Sequence, residues 1–148
     1  MSASKRQRIT DAVKTGFEAI LTENGYNSDL GESVHEWRSR AFAESELPAA
    51  VLRDLGETAV AAVGVHEHSL TMEAEIVLSG HELPAEIRAL IADVTACIGA
   101  DVTWGGLAEA TYPPDDEAIA IEQANRQIAG VRIRFVIEYT TEPFNPYE

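Results

Sequence analysis

The chain of 148 residues has a single cysteine, Cys97, and only two lysines, Lys5 and Lys14. One cysteine excludes an internal disulfide bond and fits a reducing compartment. Because Cys97 stands beside Val94 and Ile98 in a helical pattern, we expect an inert, buried thiol. No apolar run approaches the ~20 residues that cross a bilayer, and no apolar stretch follows the basic N-terminus as in a secretory signal. The sequence therefore predicts neither a membrane segment nor a secreted protein.

The motifs of nucleotide binding and nucleophilic catalysis are also missing. The sequence contains no Gly-x-x-x-x-Gly-Lys, no Gly-x-Gly-x-x-Gly and no Gly-x-Ser-x-Gly, which are the phosphate-binding and nucleophile motifs of common enzyme folds. No lysine follows Lys14, which disfavours an enzyme that handles phosphates. With 25 acidic residues, carboxylate pairs are too common to indicate acid–base chemistry. We therefore expect no catalytic residue, no cofactor and no enzymatic activity.

Positive charge is scarce and unevenly placed. The 25 acidic and 11 basic residues give a formal charge of −14. Residues 1–14 carry a net charge of +3, whereas residues 54–125 hold 14 acids and a single basic residue, Arg88. A region this acidic repels phosphates, which excludes a nucleic-acid-binding face. It suits a passage that DNA crosses without sticking, although an ordinary acidic cytosolic protein explains the charge as well.

Two groups of residues have the types that bind metals. His66 and His68 share one side of an extended strand and can hold zinc if a carboxylate joins them. The next histidine, His81, lies ~40 Å from His68 along an extended chain. The acidic run 115–117 follows two prolines but lacks the spaced ligands of a calcium loop. Solvated side chains explain both groups more simply, so we expect no bound metal.

Hydrophobic periodicity gives the order of the elements. Apolar residues at helical spacing predict helices over residues 5–23 and 83–99. Strict alternation predicts long strands over residues 67–79 and 128–141, and shorter strands are expected at 34–42, 49–54 and near 107–112. Residues 56–64 fit either loop or strand, and residues 119–124 have no clear pattern. Apart from the short strand near 107–112, we expect residues 100–118 to be loop, including the acids of 115–117. Gly16, inside the first helix, suggests close approach of another backbone.

This order predicts a single α+β domain over residues 1–148, with two main helices packed on one face of a mainly antiparallel sheet. If the two long strands pair antiparallel, Glu73 and Glu75 can form ion pairs with Arg132 and Arg134. A strand of fourteen residues is roughly 46 Å long, whereas a domain of this size is roughly 40 Å across. The strand must bend, or its end must project and offer unpaired backbone to a neighbouring subunit.

Several segments together resemble a known family. After a first helix that ends at Asn24-Gly25-Tyr26, they are ELPAAVLRD (46–54), HSLTMEAEIVLSG (68–80), IRALIADVTACIG (87–99), WGGLAEATYP (104–113) and VRIRFVIEYTTEPFNPY (131–147). Their order and spacing, over about residues 5–147, resemble phage tail completion proteins, the tail terminators of the minor tail protein U type. None of these segments is a catalytic signature.

The resemblance implies a structural protein of the virion tail, encoded by a phage or prophage and assembled in the bacterial host cytoplasm. Such proteins form a hexameric ring on the last ring of tail-tube protein, stop its polymerisation, and present a surface for a head-completion or connector protein. DNA passes through the ring without specific binding, and neither a membrane nor a cofactor is involved. We expect the interfaces to include Arg132, Arg134, Asp115, Asp116, Glu117, Phe144 and Tyr147.

Two other functions are compatible with the residues. An acidic protein of this size can mimic DNA and occupy a DNA-binding host protein, although the second helix carries only Glu86 and Asp93 beyond its first turn. A small metal-dependent enzyme that uses His66 and His68 is the third candidate. The C-terminal segment that contains Phe144 either folds back onto the sheet or docks on a partner, because its prolines keep it out of a strand ladder.

Overall fold

The structure is a computed structural model that describes residues 2–80, 82–123 and 126–148, with the side chains of all but 120–123, 126 and 127. In chain order the elements are α1 (Lys5–Glu18), β1 (Val34–Glu36), β2 (Ala49–Ala62), β3 (Val65–Ser79), α2 (Leu83–Ala100), β4 (Ala110–Thr111), β5 (Asp115–Gln123) and β6 (Arg126–Thr141). The six strands form one sheet in the order β1-β2-β3-β6-β4, and β5 also pairs with β6. All pairs are antiparallel except β1 with β2. The predicted α+β fold is confirmed.

Both helices pack on the same face of the sheet. Alternate residues of a strand point to opposite faces, and one set from each long strand joins a single hydrophobic core. This core contains Leu70, Met72, Ala74, Ile76 and Leu78 of β3, Val131, Ile133, Phe135 and Ile137 of β6, and Ile9, Val13, Phe17, Leu90, Val94 and Ile98 of the helices. The opposite face of the sheet carries the other set of side chains and is called the open face below.

The second strand is longer than the sequence indicates. Strand β2 continues past residue 54 to Ala62 and pairs with β3 down to Ala62 opposite Val65. Residues 56–64 are thus strand up to Ala62 and then a turn, in which Gly64 has a φ of 77°. The register shifts between Asp54 and Gly56, and such a bulge bends a strand. The bulge thus lies in β2, and the bend or projecting end expected of the long strands stays a prediction.

Two predicted elements are shorter than expected. Helix α1 ends at Glu18 rather than at residue 23, because the Gly31 amide donates to the Ile20 carbonyl at 2.8 Å and the Asp29 carboxylate accepts from the Thr22 amide at 2.8 Å. The strand predicted over 34–42 ends at Glu36. The next residue, Trp37, has a φ of 53°, which takes the backbone out of the strand region.

The prediction of a loop at 115–117 is wrong, because these three acids begin β5. The two prolines before them end the preceding segment but do not prevent a strand from starting. The short strand expected near 107–112 is present only as β4. Another group does approach Gly16 closely, but it is a side chain and not the backbone that we expected. A β-carbon at this position would lie 3.1 Å from the Trp104 ring.

Candidate functional site

The outer edge of β2 is an unpaired strand edge. Strand β1 pairs only with Ala50, Val51 and Leu52 of β2. From residue 53 to residue 62 the backbone of β2 has no strand on its outer side within the part of the chain that the structure describes. Natural sheets protect such edges with charged side chains, especially lysine, or with proline. Residues 58–62 read Thr-Ala-Val-Ala-Ala and carry none of these, so the edge is open to another strand.

Exposed apolar side chains collect along this edge. Val60 is 64% exposed, Val63 in the turn is fully exposed and Leu55 is 43% exposed. Trp37 is 58% exposed and stands where the pairing with β1 ends, since its amide donates to the Leu52 carbonyl at 3.0 Å. Large apolar side chains exposed along an unpaired edge are candidate contacts for a partner. We call residues 55–63 together with Trp37 the β2 edge.

Trp37 is held in place although its ring is exposed. Its indole Nε1 donates to Asp54 Oδ1 at 2.9 Å, and Arg6 Nη2 lies 2.7 Å from Asp54 Oδ2. Burial works to raise the pKa of Asp54, but the hydrogen bonds from Trp37 and Arg6 outweigh it and hold this pKa below its ordinary value. The carboxylate therefore stays charged and fixes the ring. Preorganised tryptophans of this kind are common anchors in protein interfaces.

A polar cluster fixes the three strands behind the β2 edge. His68 Nδ1 lies 3.2 Å from Glu57 Oε2, and His68 Nε2 lies 2.8 Å from Thr141 Oγ1. The imidazole also stacks on the Tyr139 ring with centroids 4.6 Å apart, and the Tyr139 hydroxyl donates to Glu57. Burial and this bond to Glu57 raise the pKa of Tyr139. The cluster joins β2, β3 and β6 and so fixes the base of the exposed end of the β2–β3 hairpin.

The same contacts bear on the predicted metal-binding histidines. His66 and His68 do lie on one side of β3, with ring centroids 6.5 Å apart. Both ring nitrogens of His68 are engaged by Glu57 and Thr141. Across the described ranges no group of three or more His, Cys, Asp or Glu side chains is arranged to hold a metal ion. His81 lies outside the described residues.

The open face carries rows of alternating charge across the sheet. Glu73 accepts from Arg134 Nε at 2.9 Å and lies 3.5 Å from Arg53 Nη1. Glu75 lies 3.4 Å from Arg132 Nε and 3.6 Å from the same Arg53 atom. The cross-strand ion pairs predicted between β3 and β6 are therefore confirmed, and Arg53 of β2 extends them by one strand. Predicted interface residues Arg132 and Arg134 are thus already engaged within the chain.

Replacing Glu73 with glutamine tests how far burial strengthens these pairs. The Glu73 side chain is only 6% exposed, whereas that of Glu75 is 26% exposed. Removing one partner of a buried ion pair costs more than removing one of an exposed pair. Glu73→Gln takes the carboxylate from Arg134 and leaves Arg53 with Glu75 alone. We expect Glu73→Gln to lower the free energy of unfolding by about 2 kcal/mol, and Glu75→Gln by under about 1 kcal/mol, in urea titrations at pH 7. Equal losses would contradict a role for burial.

The first three residues of β5 are acids, and they point to both faces of the sheet. Asp115 lies opposite Arg134 and Glu117 opposite Arg132, so both acids share the open face with the two arginines. Asp116 lies opposite Ile133 and points to the other face. The structure thus brings Asp115, Glu117 and the arginines onto one surface and separates Asp116 from them. Strand β5 pairs only with β6 among the described strands, so its outer edge is unpaired as well.

The C-terminal segment lies against the start of α1. The Lys5 amide donates to the Pro146 carbonyl at 2.8 Å, and Arg8 Nη2 donates to the Tyr147 carbonyl. Phe144 packs edge-on against His66, with centroids 4.7 Å apart, yet its side chain is 92% exposed. The backbone therefore folds back, while the Phe144 ring and the half-exposed Tyr147 ring stay accessible. Their contact with a partner remains a prediction.

The β2 edge does not follow from the sequence periodicity. Trp37, Leu55, Val60 and Val63 are not among the expected interface residues, because small residues without alternation give no sign of a strand beyond residue 54. One signal is nevertheless present. The uncharged run 58–62 stands in a chain of formal charge −14, and a solvent-exposed segment without charge is unusual in such a protein.

The described helices include none that is long and apolar enough to cross a membrane. A scan against protein-family models finds no match, and a search of curated proteins finds none either.

Proposed function

We propose that this chain is a structural virion assembly protein that caps a phage tail tube as a ring. In this function it stops polymerisation of the tail-tube protein and forms the surface to which a head-completion or connector protein attaches. The proposal combines the family resemblance of the sequence with one structural observation. In the part of the chain that the structure describes, the sheet has one unpaired edge at β2 and another, on the opposite side, at β5.

Edges on opposite sides favour assembly into rings. A ring requires a heterologous interface, in which one surface of a subunit contacts a different surface of the next. Two unlike edges, one uncharged and one acidic, meet this requirement, whereas a single edge joined to its own copy gives only a dimer. Assembly by contact also needs no catalytic group, and the sequence contains none of the nucleotide-binding and nucleophile motifs named above.

The charge distribution supports the same function. Residues 54–125 hold 14 acids and one basic residue, and Asp115, Asp116 and Glu117 at the start of β5 are exposed. A channel that DNA crosses must not bind the phosphates, and acidic walls repel them. The DNA-mimic alternative gains nothing from α2, because Asp93 is buried and accepts hydrogen bonds from Asn27 and Ser28.

The test is to polymerise the tail-tube protein of the same phage with and without this chain, and to measure tube lengths by negative-stain electron microscopy. We expect short tubes that end in a ring when the chain is present, and continued growth when it is absent. Serum albumin at equal concentration is the control for crowding. Tubes that grow equally long with saturating amounts of the chain, without extra density at their ends, would contradict the proposal. A tight one-to-one complex with a DNA-binding host protein, found in place of capping, would favour the mimic.

A further inference from the structure

The β2 edge is built to receive a strand. Among the described residues, no strand pairs with the outer side of β2 from residue 53 to residue 62, and residues 58–62 carry no charge that would repel an incoming strand. The two acids before this run point to the helix side and are already engaged, Asp54 by Trp37 and Arg6 and Glu57 by Tyr139 and His68. Because the polar cluster ties β2 to β3 and β6, the edge is ordered before a partner arrives, which lowers the entropic cost of binding.

The opposite edge of the sheet has a different character. Strand β5 begins with three acids in a row, Asp115, Asp116 and Glu117. Pairing of this edge with its own copy would set acids against acids, which is destabilising across strands. An uncharged edge is the partner that avoids this repulsion. The chain itself offers such an edge at residues 58–62 of β2.

Strand directions allow the two edges to join. Strand β3 runs antiparallel to β2, β6 antiparallel to β3, and β5 antiparallel to β6. After three reversals β5 runs opposite to β2. A second copy can be placed beside β5 of the first copy so that the open faces of both copies lie on the same side of the sheet. The β2 strand of the second copy is then antiparallel to β5 of the first copy. Antiparallel pairs have the more favourable hydrogen-bond geometry.

We propose that the β2 edge of one copy pairs with β5 of a second copy, so that the sheet continues from subunit to subunit. This interface rests on the proposed function, because it names the surfaces by which the copies in the ring would meet. The pleat sets the register in steps of two residues. Val60 lies opposite Glu67 on the open face of β3, and Glu117 opposite Arg132 on that of β6, so Val60 falls opposite Glu117 or a residue two positions away.

This interface staggers neighbouring subunits. Asp115 lies opposite Arg134, Arg134 opposite Glu73, and Glu73 opposite Arg53. Strand β5 is therefore level with the start of β2, whereas the free edge of β2 extends to Ala62. Joining the two shifts each subunit by roughly 30 Å along the strands. A stagger between strands is what tilts them in closed barrels, so the shift suits closure into a ring.

Disulfide trapping between single-cysteine variants tests the interface. In a Cys97→Ser background we would mix Val60→Cys with Glu117→Cys, or with Asp115→Cys or Ile119→Cys for the neighbouring registers. Copper phenanthroline would oxidise the thiols, alone and on tail tubes. We expect covalent dimers in at least one mixture at tenfold or more the amount formed by either variant alone. The Cys97→Ser background removes the one native thiol, so every cross-link joins two introduced cysteines.

Each result supports or overturns the interface. Dimers of Val60→Cys alone, as abundant as those in the mixtures, would indicate pairing of β2 with its own copy and overturn it. No cross-link in any mixture, with or without tubes, also overturns it. In addition, Val60→Glu should abolish assembly, because it sets an acid against the acids at the start of β5. Val102→Glu, at a valine that is 38% exposed and belongs to neither edge, should not. Assembly that survives Val60→Glu in a folded protein counts against the interface.

The outcome for the interface and the outcome for the function are separable. Tubes that are capped while no mixture cross-links would overturn the interface and leave the proposed function standing. Mixtures that cross-link while tubes grow without limit would support the interface and contradict the capping function.

Discussion

Replacing Trp104 with alanine is expected to lower the free energy of unfolding by about 3–5 kcal/mol, the range for a large aromatic removed from a core. Its side chain is only 5% exposed, and its ring packs near Phe135 with centroids 6.4 Å apart. The indole Nε1 donates to Thr111 Oγ1 at 2.8 Å. The same ring lies 3.1 Å from where a β-carbon on Gly16 would be. Its loss therefore leaves a cavity between α1 and the sheet and removes the bond that the Thr111 hydroxyl accepts, although this hydroxyl still donates to the Val102 carbonyl.

The other tryptophan is a matched control. Trp37 and Trp104 have φ angles of 53° and 51°, so an alanine meets the same backbone conformation at both positions. Trp37 is 58% exposed, and its replacement removes one hydrogen bond and little burial. We expect Trp37→Ala to cost about 1 kcal/mol. Urea unfolding followed by far-ultraviolet circular dichroism measures both, and losses of equal size would show that burial does not account for the effect.

The elements predicted best are those whose burial alternates strongly. Strand β3 is predicted over 67–79 and spans Val65–Ser79, and β6 is predicted over 128–141 and spans Arg126–Thr141. Helix α2 differs from its prediction by one residue at its end. In these segments one face is apolar throughout, so the local pattern already contains the information about the core. The ion pairs of β3 with β6 follow from the same alternation.

The elements missed are those whose structure depends on a distant partner. Residues 56–62 are small and nearly featureless, and they become a strand because β3 lies beside them. The acids at the start of β5 become a strand because β6 presents Arg132 and Arg134 opposite Asp115 and Glu117. The sequence does not distinguish the two tryptophans, yet Trp104 is buried and Trp37 is exposed. Both edges of the candidate interface belong to this second class, which is why sequence periodicity does not find them.

Replacing Gly31 with alanine is expected to destabilise the protein by about 3 kcal/mol, at the upper end of typical overpacking. A β-carbon at this position would lie 2.3 Å from the Glu18 carbonyl oxygen and 2.9 Å from that of Ile20. Both are backbone atoms at the end of α1, so no side chain can rotate away to make room. The Gly31 amide also donates to the Ile20 carbonyl at 2.8 Å, and the displacement would weaken this bond.

The opposite result is expected at Gly99, which lies within α2 and where an added β-carbon would meet no atom within 4 Å outside its own helix backbone. Because glycine costs more backbone entropy than alanine in a helix, Gly99→Ala should stabilise the protein by about 0.5–1 kcal/mol. The same substitution thus has opposite signs at the two sites, and thermal and urea unfolding of both variants measure it. A Gly31→Ala protein as stable as the wild type would mean that the loop before β1 does not pack on the end of α1.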